Sequence, residues 1–372
     1  MVKPTIGYGV SSVYLLQASR LGLGRARSLD SSSRFNEWES DSPEEDYGMS
    51  EIDFTVAICT YNGANRLAEV LDRLRSQQGT EPISWEIIVV DNNSTDDTAK
   101  VVQEYQANWS EPYPIHYYLE PEQGLAFARR CAIREAKGTL IGFLDDDNLP
   151  DSNWVAQAYH FGQSHPQAGA YGGQIHGKFE VEPPPGFERI ARYFALLEGK
   201  KTYCYNEKYK NTRKKLFPPG AGIVIRQEAW LKSVPEHQSI NGVSGNSLST
   251  KCEDVEMLSY LFYDDWELWF NKDMHIYHKI PKSRFERDYI IRFFRGVGLS
   301  RYQTRMIAYK NWQKPVVIPI YMVNDLRKII RHLIKYRTNL KTDVVAAGEM
   351  ELLLTILLSF FYKNTQLSHK RN

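Results

Sequence analysis

Three consecutive carboxylates, Asp145, Asp146 and Asp147, follow the apolar run Leu140-Ile141-Gly142-Phe143-Leu144 and are closed by Asn148-Leu149-Pro150. A buried strand that ends in a cluster of acids is costly unless something positive sits there. Hard divalent cations take oxygen ligands, and Mg2+ or Mn2+ is usually shared between one or two carboxylates and the phosphates of a substrate. The cluster therefore suits a metal-diphosphate site at a strand end. It suits an acidic, solvated turn as well, because Asp and Asn favour turns and helix starts through local hydrogen bonds.

The preceding chain alternates apolar and amphipathic segments at the spacing of strand-helix units. Phe54-Thr55-Val56-Ala57-Ile58-Cys59 reads as a strand running into Thr60-Tyr61-Asn62-Gly63, and Leu67, Val70, Leu71 and Leu74 form a helical stripe after it. Glu86-Ile87-Ile88-Val89-Val90 reads as a second strand ending at Asp91, with Ser94 and Asp97 spaced as a helix-capping signal. Val101, Val102 and Tyr105 suit the helix that follows. A third strand, Ile115-His116-Tyr117-Tyr118-Leu119, leads through Gln123-Gly124 to a helix over 125–136, and the fourth strand ends at Asp145. This order predicts an α/β fold with a mostly parallel sheet covered on both faces. Such sheets bind ligands beyond the carboxyl ends of their strands, which is where Thr60 to Asn62, Asp91 and the Asp145 cluster all fall. No Gly-x-x-x-x-Gly-Lys-Ser/Thr run and no Gly-x-Gly-x-x-Gly after a strand is present, which sets aside two other nucleotide folds.

Four motifs in order carry a resemblance: residues 56–63, 88–96, 124–129 (Gly124-Leu125-Ala126-Phe127-Ala128-Arg129) and 142–147. Over roughly residues 53–280 the chain resembles the family 2 inverting glycosyltransferases, hexosyltransferase-type enzymes with the GT-A fold. More narrowly, it is similar to the glycosyltransferases of hormogonium polysaccharide biosynthesis in filamentous cyanobacteria.

The resemblance implies a donor site in which Thr60, Tyr61 and Asn62 lie beside the nucleotide and Asp91 accepts a hydrogen bond from a base such as uracil. Arg129 would lie near the nucleotide and the acids, where its fork of donors can hold phosphate or carboxylate. Asp145 would contact the ribose or the cation's water, and Asp147 would ligate the cation that neutralises the departing diphosphate. Asp146 is expected to be structural, since neighbouring side chains of an extended segment point opposite ways. The implied cofactor is Mn2+ or Mg2+, and the implied partners are a nucleotide-diphospho-sugar, a UDP-sugar first, and a glycan or lipid-linked acceptor.

The second half would supply the acceptor side. Pro218-Pro219-Gly220-Ala221-Gly222 precedes the apolar Ile223-Val224-Ile225, and glycine there lets a backbone approach a ligand, as it also serves an ordinary turn. Residues 242–248 lead to Cys252-Glu253-Asp254, which resembles the family's loop ending in a Glu-Asp pair, with Asp254 the implied base and Glu253 beside the acceptor. A carboxylate within hydrogen-bond reach is a competent general base. The same pair also suits a helix N-terminus, continued by Met257, Leu258, Leu261 and Phe262. His278, on the strand Met274-His275-Ile276-Tyr277-His278, resembles the family's histidine that approaches the diphosphate or metal, and it equally suits a core histidine. His275 and His278 point to opposite faces of a strand, which disfavours a two-histidine zinc site.

The 372 residues are ample for one large domain with an appendage. We expect a leader at 1–48, disordered and foreign to a native start at Met49. A GT-A domain follows at 49–283, with a nucleotide half at 49–150 and an acceptor half at 151–283, and a helical region occupies 284–372. Basic residues number 46 against 45 acidic, which gives no pull toward nucleic acid. Four cysteines without close pairing, and no secretory core, suit a reducing, cytoplasmic setting. Leu326, Ile329, Ile330, Leu333 and Ile334 form a stripe flanked by Arg327, Lys328, Arg331, Lys335 and Arg337, which can lie on an anionic membrane or pack on the domain. The apolar run at 352–362 is cut off by Glu349 and Glu351 short of the roughly 20 residues of a span, so peripheral contact with the inner face of the membrane is favoured. Two alternatives to sugar transfer are a sugar-1-phosphate nucleotidyltransferase, whose Gly-rich loop after the first strand is absent, and a silent glycan-binding scaffold.

Overall fold

The computed structural model describes residues 16–17, 52–209, 214–238, 240 and 252–369. The expected leader at 1–48 lies outside these except for Leu16–Gln17, and the start at Met49 and the loop at 242–248 lie outside as well. Leu16–Gln17 form a two-residue strand, β1.

Alternating elements then build the first part of the sheet. They are β2 (Phe54–Thr60), α1 (Ala64–Arg75), β3 (Trp85–Asp91), α2 (Thr98–Ala107), β4 (Ile115–Leu119), α3 (Leu125–Glu135) and β5 (Leu140–Asp145). Every residue of β2 and β3 is buried, because helices cover both faces of a parallel sheet. Phe54, Val56 and Ile58 enter one core with the α1 stripe Leu67, Val70, Leu71 and Leu74, while Ala57 and Cys59 enter the other with Ala128, Cys131 and Ala132 of α3. That split is the two-residue period of a strand at work. The expected cap at Ser94 is corrected: α2 starts after Asp97, Thr98 N donates to Asp96 Oδ1 at 3.0 Å, and Ser94 Oγ accepts Asn62 N at 2.9 Å. The serine hydroxyl is already occupied by the neighbouring loop.

The chain continues through β6 (Asn148–Pro150), α4 (Trp154–Ser164), β7 (Ala168–Phe179), β8 (Tyr203–Cys204), α5 (Tyr205–Lys208), β9 (Lys214–Lys215), β10 (Val224–Arg226), α6 (Gln227–Ser233), α7 (Glu253–Tyr263) and β11 (Glu267–Ile280). Nine strands form one sheet in the order β4-β3-β2-β5-β10-β7-β11-β6, with β8 on β11. β2, β3, β4 and β5 are parallel, β7 and β11 pair in parallel, and β10 runs antiparallel between β5 and β7. β1 pairs with β9 outside it. Trp154 meets Phe54 edge-on with ring centroids 6.1 Å apart, and Gly142 on β5 leaves the room: a Cβ there would overlap both rings. The sheet is therefore an α/β GT-A arrangement whose first four large strands are parallel. Its strand order reverses between β2 and β5, the place where such sheets bind ligands.

The C-terminal helices are α8 (Arg287–Leu299), α9 (Arg301–Met306), α10 (Lys314–Tyr336) and α11 (Val344–His369). Ile290, Phe294 and Val297 of α8 and Val345, Leu352 and Ile356 of α11 join the core that holds α3 and α7. α11 is longer than the apolar run at 352–362. Its segment Val344–Phe361 is long and apolar enough to cross a membrane, and half of it is buried against the protein. On α10, Ile329 is buried, whereas Leu326, Ile330, Leu333 and Ile334 are exposed.

Candidate active site

β2 and β5 lie side by side with Cys59 opposite Asp145, so the loop after β2 and the acidic cluster meet at one sheet edge. Asp146 turns back into that loop. Its Oδ2 accepts Thr60 Oγ1 at 2.7 Å, and Arg66 grips both oxygens at 2.8 Å, a bidentate pair with planar complementarity. Gly63 makes this possible, since a Cβ there would overlap Thr60 Oγ1 and Asp146 Oδ2. Gly63→Ala is expected to lose about 1–3 kcal/mol of stability through overpacking, read as a lower Tm with weaker nucleotide binding. An unchanged Tm would count against this packing.

Asparagines tie the strand-end loops together. Asn62, at φ 49°, accepts Thr95 N on Oδ1 at 2.8 Å. Asn92 Oδ1 accepts Gly124 N at 2.7 Å and its amide donates to Glu122 O at 2.7 Å. Asn tolerates the left-handed region because its short side chain bonds locally. The loops that hold Thr60, Tyr61 and Asn62 are thus fixed before any ligand arrives.

Asp145 and Asp147 face a cavity of about 530 Å³ lined also by Thr60, Tyr61, Asn62, Arg129, Gly220, Ala221, Glu253, Asp254 and His278. That is the size range of a small-molecule site. Burial, and after it the charge of Asp147, pushes the Asp145 carboxyl up to about 7. Burial also opposes ionisation of Asp147, but the positive charge around it, with Arg284 donating directly to the carboxylate, outweighs that and holds the carboxyl well below the usual range. Arg284 Nη2 donates to Asp147 Oδ2 at 2.7 Å, and its Nη1 donates to His278 Nε2 at 2.8 Å. His278 Nδ1 lies 3.0 Å from the Phe194 carbonyl, which can only accept, so Nδ1 carries the proton and the Nε2 lone pair faces Arg284 and Asp147. Carbonyl-tied imidazoles of this kind are the usual form of a metal-ligating histidine.

Asp145, under-compensated for charge, and Asp147 offer the carboxylate oxygens that a divalent cation takes, with the His278 imidazole beside them. Among the described residues no three His, Cys, Asp or Glu side chains stand grouped to hold an ion. A cation here would complete its ligands from a phosphate-bearing substrate, as Mg2+ and Mn2+ commonly do.

The start of α7 forms another wall of the cavity. Cys252 at φ 82°, a strained left-handed residue, turns the chain so that Glu253 and Asp254 open the helix inside the cavity. Asp254 Oδ1 accepts Val255 N at 2.8 Å and Oδ2 accepts Gly220 N at 3.2 Å. The acid expected as the base thus lies in the first turn of the helix. Burial, reinforced by the charge of Glu253, pushes the Asp254 carboxyl up to about 6. Arg129, nearly buried, stands between the halves with Nη1 3.6 Å from Glu253 Oε1, and that nitrogen makes no hydrogen bond.

Two expected site residues lie elsewhere. Asp91 does not line the cavity: Oδ1 accepts Ser94 N at 2.8 Å and Oδ2 accepts Tyr117 OH at 2.9 Å. Gly222 is also off the cavity, at φ 65° in the turn before β10 and against Ile276. His275 is apart from His278, with Nδ1 3.0 Å from His176 Nε2. Arg66, Asn92 and Arg284 were missed in the sequence, along with the wall formed by Tyr289, Phe293 and Val297 of α8.

The family model for Glycosyl transferase family 2 matches residues 55–231. The uncharacterized glycosyltransferase YfnE of Bacillus subtilis is 33% identical over 104 residues, 28% of this chain and 25% of that protein. The putative teichuronic acid biosynthesis glycosyltransferase TuaG of the same organism is 32% identical over 94 residues, 25% of this chain and 35% of that protein. The matched stretch thus spans about a quarter to a third of the length of these curated relatives. Among solved structures, the mannosyltransferase PcManGT of Pyrobaculum calidifontis, in complex with GDP-Man and Mn2+, superposes with a TM-score of 0.51 at 17% identity. The superposition covers 83% of this chain and 87% of that one, a likeness of fold. Residues 55–231 thus match the Glycosyl transferase family 2 model, and the sheet order agrees with that likeness.

Proposed function

We propose that the protein transfers a sugar from a nucleotide diphosphate donor to a hydroxyl of a glycan or lipid-linked acceptor, with inversion at the anomeric carbon, in cell-surface polysaccharide synthesis. The observation that carries this reading is the single cavity in which the Asp145/Asp147 pair and Asp254 face the same space. The name of TuaG, tied to teichuronic acid biosynthesis, supports the polysaccharide setting, and the narrower likeness to the hormogonium polysaccharide enzymes falls within it.

In this reading Thr60, Tyr61 and Asn62 receive the nucleotide, a uridine nucleotide first, with Asp91 bracing the loop from behind. Asp147, Asp145 and His278 would hold Mn2+ or Mg2+, which supplies positive charge to the departing diphosphate. Arg284 and Arg129 add guanidinium donors on either side of that position. Asp254 takes the proton of the acceptor hydroxyl as its oxygen bonds to the anomeric carbon. The bond from that carbon to the diphosphate breaks, and its electron pair leaves with the diphosphate. Glu253, Gly220 and Ala221 shape the acceptor side. Four buried cysteines, none in a disulfide, suit a reducing, cytoplasmic site of action.

Incubation with a panel of nucleotide sugars and polysaccharide acceptors tests this. One donor is expected to release its nucleoside diphosphate and form a product of inverted configuration by NMR, with activity lost on chelation and restored by Mn2+. A retained configuration, or turnover indifferent to the chelator, would contradict it.

A further inference from the structure

We infer that the outward face of α10 docks on an anionic lipid surface. α10 is amphipathic twice over. Val317, Tyr321, Asp325 and Ile329 recur every four residues and are buried against the protein. On the opposite side Ile320, Val323, Leu326, Ile330, Leu333 and Ile334 are exposed, with Val323 at 70% and Ile334 at 75%. An ordinary surface helix buries its apolar stripe and presents polar residues to water. This one presents a second apolar stripe, and a soluble protein rarely leaves a contiguous patch of that kind uncovered.

The charges choose the occupant. Arg327, Arg331, Lys335 and Arg337 are all exposed along the same stretch. The sole acid of the helix, Asp325, is buried in an ion pair with Arg305 Nη2 at 3.1 Å, so it offers nothing to a partner. A second copy of the chain laid on this face would set the cations against their equivalents, and a mixed-charge partner would find no anion to pair with. Anionic headgroups satisfy all four cations while the apolar residues enter the acyl boundary, and the Arg and Lys stems can lie along that boundary as their heads reach phosphate. At 23 residues the helix is about 35 Å long, a rod to lie along a surface. Trp312, 63% exposed in the turn just before it, is of the residue type enriched at the membrane interface.

α11 runs antiparallel beside α10. His332 Nε2 meets the Ala346 carbonyl at 2.9 Å near one end, and Phe360 packs against the cluster of Met306, Val317 and Tyr321 near the other. With half of its apolar segment committed to this packing, α11 serves as a support that links α10 to α8 and the wall of the cavity rather than as a free span.

Vesicle sedimentation of the full chain tests the inference and needs neither donor nor metal, so it stands or falls apart from the transfer reaction. The parent is expected to bind vesicles of phosphatidylcholine with one-third phosphatidylglycerol at least 10-fold better than phosphatidylcholine alone, and to weaken in high salt. Val323→Glu with Ile330→Glu, and separately Arg327→Glu with Arg331→Glu, are each expected to reduce binding at least 10-fold with unchanged Tm. No binding by the parent, or equal binding to both vesicles, would overturn it. So would a concentration-dependent dimer, seen by sedimentation equilibrium, that Val323→Glu with Ile330→Glu dissolves.

Discussion

Asp254→Asn is expected to lower the turnover number by about 10²–10⁴-fold, the usual contribution of a positioned general base, while leaving nucleotide affinity within a few-fold of the parent. The amide keeps the size of the side chain and one of its two acceptor positions toward Val255 N and Gly220 N, so the helix start survives. Tm is the control for that. The pH profile supplies a second readout. A base must be unprotonated to act, and the parent carboxyl sits at about 6, so the parent rate should rise with pH through about 6 and level off above it. The variant has no such limb. Initial rates at saturating donor between pH 5 and 8 check both, and a variant that keeps the parent's rate and limb would remove Asp254 from the reaction. The sign for stability is opposite: the folded form holds this proton to higher pH than the unfolded chain, whose carboxyl sits near 3.8, so stability falls as pH rises from that value through about 6.

Asp147→Ala has the second large effect. It removes the carboxylate that Arg284, His278 and a cation all address, so Mn2+ affinity should fall by at least about 100-fold, beyond the 10–100-fold typical of losing a supporting residue around a ligand. Loss of free-Mn2+ signal on titration, followed by electron paramagnetic resonance, measures this directly. Asp146→Ala separates the acids. Its carboxylate is spent on Thr60 and Arg66, so that variant should lose Tm before it loses Mn2+. Equal Mn2+ affinity in Asp147→Ala and the parent would place the cation elsewhere.

The strand-helix units from β2 to β5 were legible because their strands are buried on both faces and read as unbroken apolar runs. Asp145 and Asp254 were legible as cavity residues because each sits in a motif. β7 was not, for a physical reason: its sequence, AGAYGGQIHGKF, carries four glycines, and three of them relieve crowding by neighbours, among them Gly169 against Trp266 and Gly173 against the Met274 backbone. A strand chosen for close approach lacks the side chains that announce a strand. β11 was read as 274–278 because Asn271-Lys272-Asp273 interrupts the pattern, where its pairing with β7 slips between Phe270 and His275. Arg66 and Arg284 lie 80 and 137 positions from the acids they hold, and a lone arginine carries no local signal of its partner. Ser94 had the spacing of a cap, but the adjoining loop, folded against it, claimed its oxygen.

The most direct test of the account is calorimetric titration of the parent protein with UDP, GDP and dTDP, with and without Mn2+. One nucleotide is expected to bind in the presence of Mn2+ and to lose that binding when the ion is chelated. Binding that is the same with and without the ion, or no binding of any nucleotide by the folded protein, would contradict it.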